Sequence, residues 1–175
     1  MRYRCLALTC ALIAIASCGG QTDGGAGPDP EPKVPHLAIV SGDRQTDTVG
    51  QTLPLPLTLV LRDTLDHPIP GASVAWSVVS GGGAVIAGGT TDANGEATAT
   101  YTLGRQPKLN SVRATTSATP VPLFFTLTAV PDAPAQLLKS AGDSQYAEIG
   151  QAVVAFYAVK VADQYGNAVP QISVV

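Results

Sequence analysis

The sequence predicts an all-β chain that folds as a two-sheet sandwich. Three observations carry that prediction: a composition dominated by strand formers, a period-two alternation of apolar and polar residues, and turn residues at short intervals. The 175 residues are 45% hydrophobic, 13% charged and 5% aromatic. Val, Thr, Ala and Leu dominate, and β-branched side chains favour strands. With 18 Gly and 14 Pro the chain is rich in turn formers, yet its apolar content suffices for a packed core.

Arg2 and Arg4 give the N-terminus a positive start, and an apolar run follows from Leu6 to Ala16. A run of about 11 residues fits a secretory leader and falls short of the roughly 20 that a spanning helix needs. Residues 1–17 therefore read as a signal peptide. The run closes on Ile15-Ala16-Ser17-Cys18, which resembles the lipobox of bacterial lipoproteins. That resemblance implies cleavage before Cys18, a thioether link from its thiol to diacylglycerol, and N-acylation (a palmitate-type anchor). Several acyl chains at one residue anchor stably where one would be marginal. By the same resemblance Gly19, standing where Asp would retain a lipoprotein inside, implies the outer membrane if the source is Gram-negative. Residues 18–35 continue as a linker rich in Gly, Pro, Asp and Glu, with Pro28, Pro30, Pro32 and Pro35 stiffening it.

Beyond the linker the period is two. Leu53, Leu55, Leu57, Leu59 and Leu61 form the first inward set, and Val74, Trp76 and Val78 the next. Ala97, Ala99, Tyr101 and Leu103 alternate with Glu96, Thr98, Thr100 and Thr102. Val112 with Ala114, and Leu123, Phe125, Leu127 and Ala129, complete the pattern. Pro54 and Pro56 cannot donate to a ladder, so the first strand should pair fully only after Leu57. Asp66-His67-Pro68, Gly81-Gly82-Gly83, Asp92-Ala93-Asn94-Gly95 and Gly104 to Pro107 mark the turns. About seven short strands in about 95 residues describe a sandwich, and Trp76, the sole tryptophan, should fill the space between its sheets.

The chain also repeats itself. At an offset of 100, Gly42-Asp43 matches Gly142-Asp143, Gln45 matches Gln145, and Gly50-Gln51 matches Gly150-Gln151. Asp63 matches Asp163, Pro70 matches Pro170, and Ser73-Val74 matches Ser173-Val174. Val153, Ala155, Tyr157, Val159 and Val161 keep the parity of the first inward set. Residues 36–131 read as one module, and 135–175 as the opening part of a second.

The stretch Val60 to Val74 and its copy Val161 to Val174 show a strand, an Asp, a tight turn and a second strand. Thr90 to Ala97 adds an Asp-Ala-Asn-Gly turn before an alternating strand. Together these resemble the bacterial immunoglobulin-like domain, group 1, of the invasin and intimin type. The resemblance implies an immunoglobulin-like β-sandwich and a role in surface display and cell adhesion. Asp63, Pro70, Trp76, Asp92, Asn94, Gly95, Asp163, Gly166 and Asn167 are the structural turn and core residues it singles out. The first copy departs at Asp66-His67, where the second has Gly166-Asn167.

The net charge is −3, and loss of Arg2 and Arg4 leaves eight basic residues against 13 acidic ones. Such a chain has no basic patch for nucleic acid. Cys5, Cys10 and Cys18 are the only cysteines, so paired-thiolate zinc sites and disulfides in the modules are excluded. His36 and His67 are the only histidines; His67 beside Asp63 and Asp66 reads as a solvated turn residue, because no serine sits in a strained elbow. Asp63, Asp66 and Asp92 lack calcium-loop spacing and read as turn caps. No enzyme, cofactor or metal centre is expected. The expected partners are the membrane through Cys18, neighbouring immunoglobulin-like modules, and a surface protein or glycan ligand. The function that follows is a cell-envelope lipoprotein presenting tandem modules as a structural spacer or adhesion element; the alternative is a carbohydrate- or matrix-binding accessory region of a larger envelope enzyme.

Overall fold

Pro54 and Pro56 have no amide to donate, and the strand that follows them pairs only from Leu57. The computed structural model describes residues 34–174. Cys18, the signal peptide 1–17 and all of the linker but Val34 and Pro35 lie outside the described residues. The strands are β1 His36–Ser41, β2 Thr46–Thr48, β3 Leu57–Arg62, β4 Val74–Ser80, β5 Ala84–Ala87, β6 Glu96–Thr102, β7 Leu109–Thr116, β8 Thr119–Val130, β9 Gln136–Ala141 and β10 Ala158–Ala162.

One four-stranded sheet has the order β1-β3-β6-β5 and a second β2-β8-β7-β4. Lettered A, A′, B, C, D, E, F, G in chain order, these are A-B-E-D and A′-G-F-C. That is the arrangement of an immunoglobulin-like sandwich. The chain switches sheets between β1 and β2, and β2 pairs in parallel with the end of β8, Thr46 opposite Thr128 and Thr48 opposite Val130. The first half of β8 is therefore an edge, where Pro120 and Pro122 cost no ladder bond on the open side.

Alternation places the core. Leu57 and Leu59 on β3 meet Ala97, Ala99 and Tyr101 on β6, and Val112, Ala114, Phe125 and Leu127 close over them from the second sheet; Leu61 is buried as well. Trp76 leans on Phe125 with ring centroids 5.6 Å apart. It sits at the rim and is only half-buried, because β4 is the outer strand of its sheet rather than a central one.

Two alternation readings are corrected. Leu55 is exposed, not inward: the segment Leu53–Pro56 is not a ladder strand, and the Gln45 side chain holds both backbone groups of Leu55. In the matching stretch of the second copy, Val153 to Val161, only the part from Ala158 forms a strand, β10, paired with β9 alone; Val153, Ala155 and Tyr157 are exposed because no second sheet covers them among the described residues.

Candidate functional site

An aspartate at a strand end can accept the amide hydrogens that follow it and so define a turn. The chain does this three times with one geometry. Asp63 Oδ1 accepts the Leu65 and His67 amides, both at 2.8 Å. Asp92 Oδ1 accepts the Asn94 and Glu96 amides, both at 2.8 Å. Asp163 Oδ1 accepts the Tyr165 and Asn167 amides, both at 2.9 Å. Each Asp amide donates in turn to the carbonyl four residues on, at 2.8 to 2.9 Å. The fourth residue of each turn has positive φ: Asp66 at 73°, Gly95 at 73° and Gly166 at 83°. The first copy therefore keeps the turn of the second, with Asp66 in the left-handed conformation that glycine takes elsewhere.

Pro70 is exposed and opens the turn that leads into β4. Thr91 pins that turn: its hydroxyl donates to the Ile69 carbonyl at 2.8 Å and accepts the Ala72 amide at 2.9 Å.

The turns of Asp63 and Asp92 adjoin at one end of the first sheet, since the Leu61 amide donates to the Gly95 carbonyl at 2.8 Å. His36 Nε2 stands 3.7 Å from Asp66 Oδ1, and His67 Nδ1 stands 3.4 Å from Asp63 Oδ2. A shallow recess of about 400 Å³ is lined here by Val34, His36, Asp63, Thr64 and Asp66. The amide hydrogen bond from His67, reinforced by that from Leu65, lowers the Asp63 pKa below the ordinary carboxylate value. No group of three metal-ligating side chains occurs among the described residues.

Asp163 belongs to a different place. It lies at the junction of the two copies and has no exposed surface. Its Oδ2 accepts the Asp132 amide at 3.2 Å and the Asn167 side-chain amide at 2.9 Å. Burial pushes its pKa up, but the Asn167 side chain and the amides of Asn167, Asp132 and Tyr165 outweigh burial, and the net direction is down. Asn167 Nδ2 also donates to the Arg105 carbonyl at 2.9 Å. Gln164 Nε2 donates to Asp132 Oδ2 at 2.8 Å. The Arg105 guanidinium stacks 5.6 Å from the Tyr165 ring centroid. Gly50 makes room for this ring: a Cβ there would lie 2.6 Å from the Tyr165 hydroxyl. The turn Asp163 to Asn167 is thus a polar plug seated on the far end of the first sandwich.

Two supporting devices escape a sequence reading. Gln45 Nε2 donates to the carbonyls of Gly42 and Leu55 at 2.7 and 2.8 Å, and its Oε1 accepts the Leu55 amide at 3.0 Å. Gln145 repeats this on Gly142 and Ala155, at 2.7, 2.9 and 2.7 Å. The offset that aligns the two glutamines was the available signal. The second device is Asn110, fully buried, which accepts the Tyr101 hydroxyl at 3.0 Å. A Cβ at Gly81 would lie 2.1 Å from the same oxygen, which explains one glycine of the triplet.

No protein-family model and no curated protein matches the chain. Solved structures do. The chain is similar to the adhesin InvE of Yersinia pseudotuberculosis, at 21% identity over 78% of this chain and 38% of that one, TM-score 0.49. It is similar to the D00-D0 domain of intimin, at 19% identity over 59% of this chain and 50% of that one, TM-score 0.47. It is also similar to domains 4-9 of the surface layer protein SbsC, at 15% identity over 79% of this chain and 22% of that one, TM-score 0.45. The chain spans half or less of the length of each of these three.

Proposed function

We propose that the chain is a cell-envelope lipoprotein that holds immunoglobulin-like modules away from the lipid surface as a structural spacer or adhesion element. Cys18 carries the acyl anchor, residues 19–35 are the tether, and modules 36–131 and 135–175 follow. The outer membrane is the location if the source is Gram-negative. The observation that carries this reading is the seating of Asp163: a buried carboxylate takes hydrogen bonds from Asp132 before the second copy and from Asn167 within it. A joint built this way fixes the direction in which one module follows another.

Two measurements test the reading. Radiolabelled palmitate fed to cells expressing the chain should enter the protein and fail to enter Cys18→Ala. A mature N-terminus that is unacylated and cytosolic would overturn the anchor. Small-angle scattering of the chain should show a fixed maximum dimension that broadens in the double variant Tyr165→Ala with Asn167→Ala. An unchanged profile would overturn the fixed joint.

A further inference from the structure

Three asparagines occur in the chain, each in a different setting. Asn110 is fully buried and followed by Ser111. Its Oδ1 accepts the Tyr101 hydroxyl at 3.0 Å, and its Nδ2 donates to the Lys108 carbonyl at 3.0 Å. Asn167 is followed by Ala168, and its Nδ2 donates to the Arg105 carbonyl and to Asp163 Oδ2, both at 2.9 Å. Asn94 is exposed in the Asp92 turn and followed by Gly95. Asp92 Oδ1 holds its backbone amide at 2.8 Å, but its side-chain amide has no partner among the described residues.

A free carboxamide ahead of a glycine can react with the backbone. The Gly95 nitrogen attacks Asn94 Cγ, and glycine has no Cβ to hinder the approach. The N–Cγ bond forms, the Cγ–Nδ2 bond breaks, and the Gly95 amide proton passes through solvent to Nδ2, which leaves as ammonia. Water then opens the cyclic imide at one of its two carbonyls, giving aspartate or isoaspartate. Only water is consumed, and nothing is oxidised or reduced.

We propose that Asn94 is a site of spontaneous covalent modification, through which the first module acquires with age a new carboxylate and, in the isoaspartyl product, a lengthened Asp92 turn. The fold sets the pace. Gly95 is buried and its amide donates to the Asp92 carbonyl at 3.0 Å, so the nitrogen is freed only when the turn opens. The fold also sets the effect. Isoaspartate puts one more backbone carbon between Asp92 and Glu96, a stretch that Asp92 Oδ1 closes onto the Glu96 amide at 2.8 Å. The same carbon displaces the Gly95 carbonyl from the Leu61 amide, the bond that joins this turn to that of Asp63. The proposal stands apart from the anchor and from the adhesive role.

The test incubates the purified full chain beside a synthetic peptide of residues 90–98 in mildly alkaline buffer. Peptide mapping by mass spectrometry follows the change from amide to acid, and electron-transfer fragmentation separates aspartate from isoaspartate. Asn94 should convert before Asn110 and Asn167, about tenfold more slowly than in the peptide. Asn94→Gln should remove that conversion. The isoaspartyl fraction should melt below fresh protein, whereas Asn94→Asp, which adds the charge without the extra carbon, should melt close to it. The proposal is overturned by earlier conversion at Asn110 or Asn167, or by an isoaspartyl fraction that melts with fresh protein. An Asn94 still intact after about a hundred peptide half-lives would overturn it too.

Discussion

Asp66 holds φ at 73°, a conformation that costs a non-glycine residue about 1 kcal/mol or more. Gly95 and Gly166 occupy it in the two sister turns. Asp66→Gly should therefore raise stability by about 0.5 kcal/mol, the relief being partly offset by the added freedom of the unfolded chain. Urea denaturation would read the change, and a loss of stability would contradict it. Acid tests the other carboxylates. Asp63 and Asp163 both have folded pKa values below the ordinary 3.8. Their contribution is fully present above the unfolded value and is lost as pH falls through the folded ones. The urea midpoint should drop between about pH 5 and about pH 2, and the drop should be shallower in Asp63→Asn.

At the scale of the element, Gln45 does for Leu53–Pro56 what a neighbouring strand does elsewhere. It satisfies the Leu55 amide and carbonyl where Pro54 and Pro56 have no amide to offer. Gln45→Ala should cost about 1 kcal/mol and speed exchange of the Leu55 amide, measured by mass spectrometry or NMR. Gly81→Ala should cost about 2 kcal/mol or more, since its Cβ would strike Asn110 at 2.1 Å and its φ is 98°. These elements also mark what a sequence discloses. β6 was legible throughout, because Ala97, Ala99, Tyr101 and Leu103 alternate with polar residues and both faces of the strand are distinct. The start of β3 was legible because proline lacks a donor. Leu55 was misread because alternation assumes a strand, and a side chain ten residues back had replaced the ladder. Asp66 was opaque for a simpler reason: an aspartate does not announce a positive φ as a glycine does.

At the scale of the molecule, the Asp turns could be read from spacing, but their separate roles could not. Asp63 and Asp163 align in sequence, yet one lines a recess with Val34 and His36 at the start of β1 and the other seats against Asp132 and Asn167. The difference depends on Arg105, Gly50 and Tyr165, which come together only through the fold. A core test belongs here too. Phe125 is fully buried against Trp76, and Phe125→Ala should destabilise the first module by about 3–5 kcal/mol, read from its thermal transition.

The parallel pairing of β2 with β8 bears on how the first module yields when it is stretched. Tension entering before β1 and leaving after β8 pulls these two strands along their length in opposite directions. The bonds from Arg44 to Thr126, Thr128 to Gln45 and Val49 to Val130 then lie across the load and must rupture together, not one by one as in an unzipping hairpin. Optical-tweezer pulling through residues 36 and 131 should give a single high-force rip, and Thr128→Pro, which deletes one of those three donors, should lower it. The short strand that changes sheets is in this sense a shear latch.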